Sequence, residues 1–157
     1  MSYNETVQKR TIGENMKNQL WNAMQVIGRL YEEYLEPVCM QYTLTRAELD
    51  VLLFLANNPE YDRAADIIEI RHVAKSHVSL SVKTLMAKGY LKGSYSQANA
   101  RDVHLKVTAK AASSIAAGRK AQKEFEKILL KGLSKDDIRH LQESTQKIIE
   151  NAEGEMK

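Results

Sequence analysis

The sequence predicts a mainly α-helical protein that carries one small β-hairpin. Three observations lead there. Apolar residues recur at helical spacing near both ends of the chain. Between those stretches, residues 103–108 (Val-His-Leu-Lys-Val-Thr) alternate apolar and polar, as a half-buried strand does. Only two prolines and seven glycines punctuate 157 residues, too few for a loop-rich or all-β protein.

The elements follow in order. Over residues 12–35, Met16, Leu20, Met24, Ile27, Tyr31, Tyr34 and Leu35 form one stripe of a long amphipathic helix, which Pro37 ends or redirects. Thr45 is placed to cap a second helix, with Glu48 three residues on as its capping-box partner. That helix holds Leu49, Leu52, Leu53 and Leu55 and stops in Asn57-Asn58-Pro59. Asp62 reads as the cap of a short helix over residues 63–69, with Ala64, Ile67 and Ile68 inward. A further helix over residues 74–87 turns Val78, Val82, Leu85 and Met86 inward and ends at Gly89. Tyr90, Leu91 and Tyr95 then begin a hairpin whose return strand is residues 103–108, with a polar turn at 94–100. Thr108 is placed to cap a long helix reaching about residue 131, carrying Ile115, Phe125, Ile128 and Leu129. After Gly132, Ser134 and Asp137 cap a last helix through about residue 151, lined by Ile138, Leu141, Ile148 and Ile149.

Charge is distributed unevenly along this plan. Residues 71–110 hold eight of the 23 Lys/Arg (Arg71, Lys75, Lys83, Lys88, Lys92, Arg101, Lys106 and Lys110) but only one of the 20 acids, Asp102. His72, His77 and His104 lie there too. The rest of the chain therefore has more acids than bases, and the net charge of +3 conceals a basic module. A basic surface attracts polyanions, of which a phosphate backbone is the commonest, although a solvated face would give the same count. Two closely spaced helices followed by a hairpin form a winged helix-turn-helix. Its second helix can enter a major groove and its wing the neighbouring minor groove.

The outward face of that second helix presents Lys75, Ser76, His77, Ser79 and Leu80, with Lys83 a turn later. Short polar groups there suit close approach to bases, and the lysines suit phosphates. Arg101 is the candidate for minor-groove insertion, where the potential is most negative. Arg71 and Lys92 are candidate backbone contacts.

Ala74-Lys75-Ser76-His77-Val78-Ser79, followed by Leu85-Met86-Ala87-Lys88-Gly89-Tyr90-Leu91, resembles the recognition helix and first wing strand of the MarR family of bacterial transcription regulators. Arg101-Asp102-Val103-His104-Leu105-Lys106-Val107-Thr108 is similar to that family's return strand, and Leu133-Ser134-Lys135-Asp136-Asp137 to the start of its last helix. The sequence departs from the pattern at three points. Asn99 stands where family wings usually carry an acid, Ala111 stands where a glycine is common, and the turn Arg71-His72-Val73 lacks a glycine.

The resemblance implies a homodimer interlocked through both termini (residues 12–38 and 109–152) around a winged helix-turn-helix at 45–108. Together with two-fold symmetry it implies a pseudo-palindromic operator and, most often, repression. It also implies a small aromatic or lipophilic effector in a cleft between dimer helices and winged domain, with Trp21, Met24, Tyr31 and Met40 as lining candidates. Relatives that sense peroxides carry a cysteine nearer the start of the first long helix. Cys39 follows Pro37 and is expected to be a buried, inert thiol.

The remaining function classes are weaker. The opening residues lack the apolar core of a signal peptide, no apolar run approaches about 18 residues, and one cysteine excludes an internal disulfide, so a soluble cytoplasmic protein is expected. His72 and His77 are five apart, not the i, i+4 of a helical zinc pair, and neither a metal nor a cofactor is expected. The chain has no Gly-rich phosphate loop and no nucleophile motif, which argues against an enzyme. A non-specific, architectural nucleic-acid-binding protein is the alternative to a sequence-reading regulator.

Overall fold

A computed structural model of the chain describes the backbone of residues 3–96 and 99–156 and the side chains of residues 15–94 and 103–156. The elements are α1 (Tyr3–Tyr42), α2 (Arg46–Asn57), α3 (Ala64–Arg71), α4 (Lys75–Ala87), β1 (Leu91–Ser96), β2 (Asn99–Val107), a 3-10 turn (Ala109–Ala111), α5 (Ala112–Leu129) and α6 (Lys135–Glu155). The mainly helical class with one hairpin is as the sequence predicts. The chain forms two compact units, Met1–Lys123 and Glu124–Lys157.

In the first unit, α2 is the centre of the core. Leu49, Val51, Leu52, Leu53, Phe54 and Leu55 are all buried, so this helix is enclosed on nearly every side. Around it pack Leu35 and Val38 of α1, Ile67 of α3, Val78 and Leu85 of α4, Leu91 and Leu105 of the hairpin, and Ile115 of α5. Gly118 of α5 permits one close approach: a Cβ there would stand 2.9 Å from a Leu53 methyl.

The helix ends show which local signals decide. Thr45 and Glu48 form the expected capping box, Glu48 N–H donating to Thr45 Oγ1 at 3.2 Å and Thr45 N–H to Glu48 Oε2 at 2.8 Å. Ser134 and Asp137 form another at α6 in the second unit. At the end of α4, Gly89 takes the left-handed conformation at φ 76°. Its N–H donates to Met86 O and that of Tyr90 to Leu85 O, which closes the last turn.

Four expectations are corrected. Pro37 does not end α1, which continues to Tyr42. Proline removes the N–H that would meet the Glu33 carbonyl, but both residues are exposed, so water can serve that oxygen while Leu35 and Val38 hold the helix in the core. Asp62 does not cap α3; the cap residue is Arg63, whose N–H donates to Asp66 Oδ2 at 2.9 Å. Thr108 gives α5 no side-chain cap, because its hydroxyl donates to Gly89 O at 2.7 Å and ties the foot of the hairpin to the end of α4. Met86 stays 38% exposed, since the inward stripe of α4 runs through Val78, Ser81 and Leu85. Ser81 is buried there, and its hydroxyl donates to His77 O.

α1 ends on Thr43 at φ 53°, in the place a glycine usually fills: Thr43 N–H donates to Met40 O and Leu44 N–H to Cys39 O. A β-branched residue is strained in this conformation by about 1–3 kcal/mol. Thr43→Gly relieves the strain and loses only an exposed side chain, so after glycine's extra unfolded-state entropy it should stabilise by about 1 kcal/mol in urea titration. A destabilised variant would refute the argument.

Asp66 gives a second expectation. Its carboxylate is nearly buried and accepts from the Arg63 guanidinium at 2.8 Å, and this hydrogen bond, with Arg63 N–H, holds its pKa below the ordinary carboxylate value. A depressed native pKa stabilises fully above the unfolded value of about 4, and that stability is lost as pH falls through the native pKa. Asp66→Asn should therefore be less stable than the wild type at pH 7, with the gap closing in strong acid. An equal gap at both extremes of an acid titration would exclude this linkage.

Candidate nucleic-acid interface

The helix-turn-helix pair is α3 and α4, which pack on each other and, through α4, on α2. The turn between them contains His72 at φ 50°, in the left-handed region where the sequence lacks a glycine. α4 then begins at Lys75 with Ala74 as its cap residue.

Because Val78, Ser81 and Leu85 face the core, the opposite side of α4 is turned to solvent. Lys75, Ser76, His77, Ser79, Leu80 and Lys83 are all exposed, and Leu80 is 65% exposed despite being apolar. α4 carries no acidic side chain. The face is therefore cationic at its two lysines and offers hydroxyls, an imidazole and one apolar group between them. Such a set can meet phosphates, base edges and a thymine methyl. Leu80 is the residue whose exposure is hardest to explain by packing.

The wing is the antiparallel pair β1–β2. Leu91 faces Val107, Gly93 faces Leu105 and Ser94 faces His104. Alternation sends Leu91 and Leu105 into the core and leaves Lys92 and Lys106, opposite one another, exposed. The register shifts between Tyr95 and Ser96, which pair with Val103 and Asn99 respectively. Arg101 belongs to this part of β2, and its side chain lies outside the described residues.

Arg71 closes α3, and its guanidinium stands 5.4 Å from the centre of the Phe54 ring. It lines a cavity of about 480 Å³ in the first unit, bounded by α1, α2, α3, α4 and α5. Tyr31, Arg46, Asp50, His77 and Gln122 also line it. Arg46 lies over the Tyr31 ring at 4.6 Å and donates to Asp50 Oδ1 at 3.0 Å, while Gln122 donates to the Tyr31 hydroxyl at 2.7 Å. Desolvation raises the Asp50 pKa in spite of the Arg46 guanidinium, although about half of its side chain is open to solvent. Of the four lining candidates, only Tyr31 meets this cavity; Trp21, Met24 and Met40 are 67%, 59% and 75% exposed. Sequence reading missed Arg46, Asp50 and Gln122, for which the i, i+4 pair on α2 was the only local signal. Cys39 is half-buried, and burial pushes its thiol pKa up, away from reactivity. Among the described residues no group of His, Cys, Asp and Glu could hold a metal, and no helix is long and apolar enough to cross a membrane.

Helix pair and hairpin define a winged helix-turn-helix fold. Residues 42–102 match the model of the MarR family. Solved structures share the fold over most of the chain. A MarR transcriptional regulator from Methanosarcina mazei Go1 is 16% identical, with a TM-score of 0.74 over 88% of this chain and 99% of that one. A Listeria monocytogenes protein assigned to the MarR family, complexed with 26mer DNA, is 18% identical, with a TM-score of 0.76 over 83% and 87%. Staphylococcus aureus MarR in complex with salicylate and kanamycin is 16% identical, with a TM-score of 0.74 over 91% and 96%. Curated protein sequences give no match.

Proposed function

We propose that this chain is a sequence-specific, double-stranded-DNA-binding transcriptional regulator, acting as a homodimer and most often as a repressor. The observation that carries this reading is the acid-free, solvent-turned face of α4, with Lys75 and Lys83 flanking Ser76, His77, Ser79 and Leu80. A protein of the same fold is complexed with DNA, which supports a nucleic-acid partner. Two α4 helices related by a two-fold axis would read the half-sites of a pseudo-palindrome. The dimer is supported by exposed Met16, Leu20, Trp21 and Met24 on α1, and by Leu141, Ile148 and Ile149 on α6. Such apolar stripes seek a partner surface. An effector of small aromatic or lipophilic character would sit in the cavity beside Tyr31, Arg71 and His77. His77 also lies on the reading face, so an occupied cavity would compete for a DNA-contacting side chain.

The test is fluorescence anisotropy with DNA from upstream of the chain's own gene beside a shuffled duplex, across a salt series. Preference of about a thousandfold or more supports an operator reader. Equal, steeply salt-dependent binding to both supports the architectural alternative instead. Arg101→Ala should weaken binding to every duplex, by about tenfold at moderate salt, and reduce the salt slope by about one. Unchanged affinity would remove Arg101 from the interface.

A further inference from the structure

The carboxylate of Asp62 is used neither as a helix cap nor for the core. It lies in the α2–α3 connection and faces His104 of β2, whose Nδ1 is 2.9 Å from each of its oxygens. Beside it, Leu105 N–H donates to Asp62 O at 2.6 Å, and Arg63 and His104 form an isolated antiparallel bridge. The outer edge of β2 is thus stitched to the helical body at one point by backbone and side chain together.

That point matters mechanically. A two-stranded hairpin is marginal by itself and takes its orientation from what it packs on. Leu91 and Leu105 bury the foot of this one. Among the described residues, Asp62–His104 is the side-chain polar link between hairpin and body nearest the tip. Both side chains are 40–48% exposed, so the pair adds little to global stability. Its value is directional: with one carboxylate bridging one ring nitrogen, the strand cannot swing about the Leu105 hydrogen bond without breaking it.

We propose that Asp62 and His104 are positioning residues for the wing. Their contact sets the angle at which the hairpin leaves the body, and so where Arg101 is delivered. This rests on the DNA-binding reading above.

The test is a double-mutant cycle on the full chain, read by anisotropy with a mixed-sequence 30-base-pair duplex at low salt and with the upstream DNA. Asp62→Ala should weaken binding about tenfold. In that background Arg101→Ala should cost less than about twofold, against about tenfold in the wild type. Asp62→Asn keeps an acceptor for the His104 N–H and should recover to within about threefold of wild-type affinity. A merely structural residue would not show this coupling to Arg101 or this rescue. Equal costs of Arg101→Ala in both backgrounds would overturn the proposal, as would an Asp62→Ala variant of unchanged affinity. Amide hydrogen exchange without DNA separates the two readings. Asp62→Ala should speed exchange at residues 103–107 by about tenfold and leave α2 untouched. A wild-type chain that binds neither duplex overturns the DNA reading, and unchanged exchange overturns the latch by itself.

Discussion

Glu48→Ala is expected to cost about 3 kcal/mol of folding stability, at the lower end for a buried charge pair broken on one side. Glu48 is 3% exposed and its carboxylate has two duties. It accepts from Thr45 N–H at 2.8 Å, closing the N-terminus of α2, and from Lys88 Nζ at 2.9 Å. Lys88 is the cap residue at the other end of the path, immediately after α4, and its ammonium also donates to Thr43 O at 3.0 Å. One carboxylate therefore joins the α1–α2 junction to the end of α4. Alanine loses the capping interaction, worth about 1 kcal/mol, and leaves Lys88 with a carbonyl as its partner in a partly desolvated site. Urea denaturation reads the effect directly. Replacing both partners, as in Glu48→Gln with Lys88→Met, should recover part of the loss, because no unpaired charge then remains. A loss below about 1 kcal/mol for Glu48→Ala would mean that water already compensates the pair.

The reach of sequence reasoning follows the range of each interaction. The capping boxes at Thr45 and Ser134 were legible because every atom involved lies within four residues. The hairpin was legible because alternation around Leu105 is set by the strand's own pleat. Pro37 misled because the local rule for proline ignores tertiary contacts: Leu35 and Val38 are held in the core on either side of it. Asp62 misled for the opposite reason. A serviceable capping carboxylate was taken by His104, 42 residues away, and Asp66 closed the helix start instead. The outward face of α4 was legible, since it is fixed once Val78 and Leu85 are placed inside.

The cavity was not legible. It exists only where several helices meet, and Tyr31, Arg46, Arg71 and Gln122 share no sequence period. Large residues such as Trp21 and Met24 draw attention on a helical wheel, yet they lie on the outer surface of α1. Their exposure is better explained by a second chain than by a ligand inside this one. His77 shows how a single position can belong to two surfaces: its spacing placed it on the outward face of α4, and only the packing of α4 against α2 placed it at the cavity as well.

Leu80→Glu should abolish DNA binding, with affinity for every duplex falling by at least about a hundredfold, or about 2.8 kcal/mol. Leu80 is 65% exposed in the middle of the α4 face, three and four residues after His77 and Ser76 and three before Lys83. Nothing in the fold requires its side chain to be apolar. A helix seated in a major groove would instead press it against base edges, where a thymine methyl is its natural contact. A carboxylate there meets phosphates on both sides and loses its water without gaining a donor. Folding stability should change by no more than about 0.5 kcal/mol, as for other exposed substitutions, so loss of binding cannot be assigned to unfolding. Leu80→Ala is the milder counterpart. It should cost about 1 kcal/mol or less, and only on duplexes with a thymine at the contacted position. If Leu80→Glu binds upstream DNA like the wild type while Arg101→Ala does not, the wing carries the interaction and the outward face of α4 does not enter the groove.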